Sequence, residues 1–231
     1  MAAFEDVSYG RRSVRFPESR TLVLADVHVG RDATSDVELP MGEGDDLVDR
    51  LQERLETAPT DRVIVAGDFL HSFGSVPYGV PDTIDRIMST VEAAGAQLTV
   101  VAGNHDRILE DVSDVAVTDS VPLEDGTLVH HGHELPETDA DRYVIGHEHP
   151  AIAIEGDRHP CFLECRNQYR GADVLVLPAF NRFAVGTVVN SMDAEDSMSP
   201  LLIDMDGCRP VVRTAEETLR FPGLGTLRSH L

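Results

Sequence analysis

Five short stretches bring together residue types that bind metals and move protons. They are Asp26-Val27-His28, Gly67-Asp68, Gly103-Asn104-His105-Asp106, His131-Gly132-His133 and Gly146-His147-Glu148-His149. Carboxylates, an amide oxygen and several imidazoles together suit borderline divalent ions such as Mn, Fe, Co or Zn. Cys161, Cys165 and Cys208 lie outside these stretches, so a thiolate site is not expected. A single ion needs fewer donors. Two ions about 3.5–4 Å apart that share a carboxylate would use them, and such a pair can hold the attacking and leaving oxygens of a phosphoryl displacement. Each stretch also has a plainer reading on its own. Asp26 can cap a helix, Gly67-Asp68 can be a turn, and His131, His147 and His149 can form a structural zinc site. Their repeated placement favours one shared centre.

That placement follows from the elements around them. Thr21-Leu-Val-Leu-Ala-Asp26 is a short apolar run ending in a carboxylate, the pattern of a buried strand. Leu47, Val48, Leu51 and Leu55 recur at helical spacing. Residues 63–66 give the next strand, closing on Gly67-Asp68. Ile84, Ile87, Met88 and Val91 mark a second helix, which Gly95 should end. Residues 98–102 give a third strand before Gly103. Strand, helix, strand, helix, strand is the period of α/β units on a largely parallel sheet. Ligands of such sheets bind beyond the carboxyl ends of the strands, where each of these stretches falls.

The second half changes character. Short apolar runs at 114–118, 127–130, 143–145, 151–154, 161–163, 174–178, 184–189, 201–204 and 208–212 predict a second, more antiparallel sheet packed on the first. Residues 1–20 predict an added edge hairpin, residues 190–200 a surface loop, and the tail from 214 a short helix before Pro222. One domain over 1–231 is the simplest account.

Composition bounds the partners. The chain has 231 residues, 42% hydrophobic, with 19 basic and 41 acidic side chains and a formal charge of −22. That is enough apolar material for a core. No apolar run approaches the roughly 18 residues of a membrane span. Met1 leads into an acidic, polar stretch, so no secretory signal is expected and a cytoplasmic location is. An odd number of cysteines argues against a disulfide framework, so reduced thiols are expected. Every basic residue is Arg, and the acids are dispersed. This is the pattern of a halophilic protein working in concentrated salt, where a Debye length of about 3 Å at 1 M screens self-repulsion. The same charge opposes a purely electrostatic hold on nucleic acid.

The five stretches, in this order over residues 21–149, resemble the calcineurin-like metallophosphoesterases. Val174 to Arg182 resembles the C-terminal part of small bacterial and archaeal members, including the DNA-ligase-associated phosphoesterases. The resemblance implies an α/β fold, a four-layer αββα sandwich of two mixed sheets flanked by helices. It implies one metal held by Asp26, His28, Asp68 and His149, and a second held by Asp68, Asn104, His131 and His147, with Asp68 bridging. It makes His105 the catalytic histidine and Asp106 its partner. The family's ligand precedes the glycine, which favours His131 over His133. His133 is then a supporting or phosphate-binding group. Arg107, Asn181 and Arg182 are further candidates for the substrate cleft. For Arg107 the alternative is a salt bridge to Glu110 or Asp111. His71 is as readily a loop residue as a cleft residue, His130 is expected to be buried, and His159 and His230 carry no signal.

The implied chemistry is hydrolysis. A hydroxide bridging two divalent ions, Mn2+ favoured with Fe, Co, Ni or Zn as alternatives, attacks phosphorus, and His105 protonates the leaving oxygen. Few fixed cations flank the motifs, which favours phosphodiesters over dianionic monoesters. A nucleotide or nucleic acid is a candidate substrate, contacted by a local patch of Arg107, Arg166 and Arg182. A phosphomonoesterase, a DNA or RNA nuclease and a non-catalytic interaction scaffold are the alternatives.

Overall fold

Alternation along Thr21–Leu24 sets the architecture. Leu22 and Leu24 face one way and Val23 and Ala25 the other, and both faces are buried. A strand apolar on both faces needs a layer on each side. The computed structural model describes residues 4–32, 42–71 and 77–229. Its first sheet has the order β1 (Ser8–Gly10), β2 (Ser13–Phe16), β3 (Thr21–Leu24), β4 (Arg62–Ala66), β5 (Gln97–Val101) and β6 (Ala116–Thr118). Strands β3 to β6 are parallel, and β1–β2 is the expected edge hairpin, paired antiparallel to β3. The run at 114–118 therefore completes the first sheet instead of joining the second.

Helices α1 (Glu43–Glu56) and α2 (Val80–Ala93) cover the outer face of this sheet. Leu47, Leu51 and Leu55 of α1 and Ile84, Ile87 and Val91 of α2 bury their faces against Leu22, Leu24, Val63 and Val65. Glu43, Asp45 and Asp46 stand in the first turn of α1, where the helix dipole favours them. Gly95, at φ 75°, follows the end of α2, where a left-handed residue stops a helix.

The second sheet begins with β7 (Val121–Pro122), β8 (Thr127–Val129) and β9 (Arg142–Ile145). It continues through β12 (Phe162–Cys165), β13 (Asp173–Val176), β15 (Arg209–Arg213) and β16 (Thr218–Arg220). Its spatial order is β16-β15-β12-β13-β9-β8-β7, with β8, β9 and β13 parallel and the other pairs antiparallel. Val23, Ile64 and Val101 meet Val129, Val144, Leu175 and Phe162 between the two sheets. The outer layer on this side is thin. It consists of the four-residue helix α4 (Leu224–Leu227), irregular segments, and a small sheet of β10 (Pro150–Ile154), β11 (Asp157–Pro160) and β14 (Thr187–Val188).

Several local expectations need correction. Residues 201–204 form no strand: Gln168 Oε1 accepts the Ile203 and Asp204 N–H groups at 2.8 and 2.9 Å, taking the place of a neighbouring strand. The tail before Pro222 is strand β16, because β15 offers it an edge, and the helix follows Gly223. Cys165 and Cys208 are disulfide-bonded, not reduced, and only Cys161 is free. Glu164 pairs with Arg209 across β12 and β15, so the register sets Cys165 opposite Cys208, their Cα atoms 4.2 Å apart. Residues 190–200 are largely exposed, as expected of a surface loop, but Met192 and Ser199 turn inward.

Candidate metal centre

The parallel strands of both sheets end on one edge of the sandwich. Asp26 and His28 follow β3, Asp68 follows β4, and Asn104 to Asp106 follow β5. From the second sheet, His131 and His133 follow β8, His147 and His149 follow β9, and Asn181 follows β13. The loops after β3 and β4 remain paired beyond their strands. Asp26 N–H donates to Gly67 O at 3.0 Å, and His28 N–H to Asp68 O at 2.9 Å. Phe180 N–H donates to Ala25 O at 2.7 Å, which ties the second sheet to the same loop.

The backbone there is unusual. Asp26, His28, Asp68, His147 and His149 all have φ between 46° and 68°. Left-handed conformations at residues with a Cβ cost of order 1–3 kcal/mol each and cluster at functional sites. The motif glycines have a related use. A Cβ on Gly67 would fall within the His131 ring, one on Gly103 against Asp68, and one on Gly146 2.7 Å from Asp26 Oδ2. Each glycine thus makes room for a donor from a different motif.

Two groups of donors form. Asp26, His28 and His149 have ligand atoms within 4.8 Å of one another, as do Asp68, His131 and His147. Asp68 stands between the groups. Its Oδ2 lies 3.9 Å from His28 Nε2 and 3.8 Å from His105 Nε2, and its Oδ1 lies 3.5 Å from His131 Nε2. Asp26 Oδ1 lies 3.2 Å from His149 Nε2, and both its oxygens accept the His147 N–H at 3.1 Å. Asn104 Oδ1 lies 3.1 Å from His131 Nε2.

This donor set fits cations. His131 Nδ1 faces the carbonyl of Ala66 at 3.1 Å, an acceptor, so the ring proton belongs there. Nε2 is then a lone pair facing the oxygens of Asn104 and Asp68. Acceptors turned toward one another call for a positive charge between them. Burial, offset only in part by the charge of Asp26, holds His28 down at about 3 and His147 at about 4. Burial likewise holds His131 down at about 3. These rings are neutral donors at pH 7, the form that binds metal. Burial and then the charge of Asp26 push the Asp68 carboxyl up to about 8. At Asp26 burial acts the same way but is outweighed by His149, His131 and His28, and its carboxyl lies below the ordinary range. Two buried carboxylates this close to one another are a poor fit for ionisation together without added positive charge.

The other candidates are placed as follows. The His105 side chain is 15% exposed at the rim. The Asp106 carboxylate accepts the N–H groups of Leu70 and Gly103 at 2.8 and 2.9 Å, bonding the loop after β4 to the loop after β5. His133 lies outside both donor groups, its ring 5.0 Å from that of His131. His130 is buried, its Nδ1 accepting the Gly132 N–H at 3.1 Å. Asn181 is fully buried. Its amide nitrogen donates to Val27 O, His28 O and Glu43 Oε1 at 3.0, 3.3 and 2.6 Å. Arg107 is exposed and forms no ion pair among the described residues, so the bridge to Glu110 or Asp111 is absent. Arg182 turns to α1, its Nε 3.2 Å from Asp46 Oδ1. Arg166 follows Cys165, which pairs with Val174 at the start of β13, the end remote from the centre. Arg107, Arg166 and Arg182 therefore form no common patch. His230 lies outside the described residues.

Sequence reasoning gave four nearby residues too little weight. His71 Nδ1 lies 3.4 Å from His28 Nδ1, and His28, His71 and His105 form a third cluster of ligand type. Burial depresses His71 and His105, and Arg31, next to Gly30 after the Asp26-x-His28 motif, is close enough to add to both shifts. Glu43 is buried, its Oε2 accepting the Gly30 N–H at 2.8 Å. Glu148, between two ligand histidines, accepts Ser197 Oγ and Ser199 N–H at 2.7 Å. The only local signal for Glu148 was its position in the motif.

Residues 19–151, which contain every candidate ligand with His105 and Asp106, match the family described as Calcineurin-like phosphoesterase. The fold is similar to the "Crystal structure of Pseudomonas putida nuclease MPE", with a TM-score of 0.62 and 23% identity over 87% of this chain and 88% of that one. No curated protein matches the chain. Among the described residues no helix is long and apolar enough to cross a membrane.

Proposed function

The chain belongs to the calcineurin-like phosphoesterases, and on that premise we propose that it hydrolyses phosphodiesters with two divalent cations held at this centre. The observation that carries the reading is the meeting of two donor groups, Asp26-His28-His149 and Asp68-His131-His147, at the shared Asp68 carboxylate. Asp26, His28, Asp68 and His149 would hold one cation, and Asp68, Asn104, His131 and His147 the other. Mn2+ suits the mixed oxygen and nitrogen donors, with Fe, Co, Ni or Zn as alternatives. When bound, the pair supplies an acidified water as nucleophile and offsets charge on the phosphoryl oxygens.

The chain's own residues do the rest. The hydrogen bond from His131 Nδ1 to Ala66 keeps the Nε2 lone pair turned inward. His105, at the rim, hands a proton to the departing oxygen. Asp106 acts on His105 through the backbone, because its carboxylate fixes Gly103 and Leu70. The nuclease of similar fold supports a diester substrate. Arg31 supports a second reading, a monoesterase, since it adds a fixed cation beside the rim that a dianion would use. Hydrolysis of a chromogenic diester and the matching monoester, with and without added Mn2+, tests both. Metal-dependent diester turnover exceeding that of the monoester is expected. No turnover of either ester in any of these metals would reject the proposal.

A further inference from the structure

The hydrolytic centre does not account for the distribution of arginine. The formal charge is −22, and all 19 basic side chains are Arg. Yet Arg11, Arg12, Arg50, Arg54, Arg182 and Arg213 line a single cleft of about 620 Å³. Asp46 and Glu53 are the acids on its wall, and His159 faces it from β11. A second hollow of about 390 Å³ shares Arg11, Arg54 and Arg213 and adds Arg15. A surface that needs arginine only for solubility would disperse it, as this chain disperses its acids.

Three of the guanidiniums are paired within the cleft, Arg50 and Arg182 with Asp46 at 3.6 and 3.2 Å and Arg54 with Glu53 at 3.2 Å, so two acids serve three cations and the other three arginines have no acid on the wall. Arg12 Nη1 donates to Ala179 O at 2.6 Å and Asn181 O at 3.4 Å. Arg50 Nη1 donates to Phe180 O at 2.5 Å and stacks over the Phe180 ring. Arg11 and Arg213 form no ion pair among the described residues. Burial, followed by the charge of Arg50, pulls Arg12 down to about 10, and Arg182 adds to the effect. Such crowding is unfavourable until an anion enters, and planar guanidiniums suit phosphate oxygens in pairs.

The cleft is tied to the donor centre through one segment. The segment that Arg12 and Arg50 grip is the one whose Phe180 and Asn181 N–H groups bond Ala25 O and Asp26 O. From Asp46 to Arg54 the cleft follows α1 for about 12 Å at 1.5 Å per residue. We propose that this arginine cleft binds the phosphodiester backbone of a nucleic-acid strand and guides it to the metal centre. The guiding part rests on the hydrolytic reading above; the binding part does not. Arg12, Arg50, Arg54 and Arg213 are half-buried, while Arg11 and Arg182 are exposed, and half-buried charges are screened by salt less than exposed ones, which softens the objection from net charge.

The test uses the metal-loaded protein and a labelled phosphorothioate DNA strand, which keeps the backbone charge and resists cleavage. Binding is measured by fluorescence anisotropy across a salt series. With a net excess of four arginines over acids on the wall, log K should fall with log salt at a slope of about −3, at roughly 0.7 per phosphate on a single strand. The Arg11→Ala/Arg213→Ala double variant should weaken binding about tenfold and flatten the slope by about 1.4. A methylphosphonate strand, which lacks the charge, should not bind. A parent slope shallower than about −1, or a folded variant that binds as the parent does, would overturn the proposal. So would displacement of the strand by equimolar inorganic phosphate, the mark of a small-anion site. Turnover of the chromogenic diester by the parent is measured alongside. Its absence with the salt slope intact would reject the hydrolytic reading and leave the cleft standing.

Discussion

Asn181→Ala tests whether the second sheet holds the metal loop of the first. The Asn181 amide bonds Val27 O, His28 O and Glu43 Oε1, and its Oδ1 accepts the Phe183 N–H at 2.8 Å. Buried hydrogen bonds are worth about 1 kcal/mol each, and stranded partners add a desolvation cost. A loss of about 3 kcal/mol lowers Tm by roughly 6–12 °C in a domain of this size. The loop that is loosened carries Asp26 and His28, so the affinity for metal should fall about 10–100-fold, as for other lost supports of ligands. A pH signature accompanies this. Burial first, then nearby Asp32, raises Glu43 to about 7, while the Asn181 bond lowers it. A raised folded pKa contributes stability below the unfolded value, here 4.5, and loses it as pH rises through the folded one. Without Asn181 the folded pKa climbs further, so the Tm deficit should widen as pH rises through about 7. Melts over pH and calorimetric Mn2+ titrations read both effects. A lowered Tm with undiminished metal affinity would refute the clamp, and an unchanged Tm would refute the hydrogen-bond reckoning.

Four further outcomes concern the same centre and surface. His105→Ala should keep both metals yet lose far more kcat/KM on an alkyl or nucleotide diester than on a nitrophenyl diester, by up to the roughly 10²–10⁴-fold range of general acid catalysis. Equal losses on the two substrates would mean that His105 positions phosphate. Asp68→Asn should release both metals on dialysis, because one carboxylate faces both donor groups; two retained ions would reject bridging. In chelator the same variant should melt above the parent at pH beyond about 8, since a carboxyl raised to about 8 loses its contribution to stability as pH rises through that value. The acidic, lysine-free surface should give a higher Tm in molar KCl than at low salt, and a Tm flat or falling with KCl would exclude the halophilic reading.

The parts legible in the sequence were those set by short range or by period. The short apolar runs at Thr21–Leu24 and 63–66, helical spacing at Leu47 to Leu55, and Gly95 after α2 each report local geometry. The donor stretches were legible because each ends a strand. What stayed hidden depends on register or on distant segments. Cys165 meets Cys208 across a sequence separation of 43 because β12 and β15 are neighbours. Glu43 reads as an acid in a helix's first turn, and nothing near it in sequence says that it also binds Gly30 and Asn181. Arg11, Arg50, Arg182 and Arg213 come from four separate parts of the chain.

The glycines join these two kinds of information. Gly67, Gly103 and Gly146 look local, as turn residues before a donor. In the fold each leaves space for a donor of another motif, namely His131, Asp68 and Asp26. The motifs are therefore not independent ligand carriers brought together by a scaffold, because the backbone of one forms the wall of the next. That mutual exclusion also explains why strained, left-handed residues persist here. Asp26 packs against Gly146 and Asp68 against Gly103 with no room for a Cβ between them, and hydrogen bonds accepted by Asp106 and donated by Asn181 fix the same loops. The centre is held by overlapping constraints from both sheets, which is how residues in costly left-handed conformations stay converged.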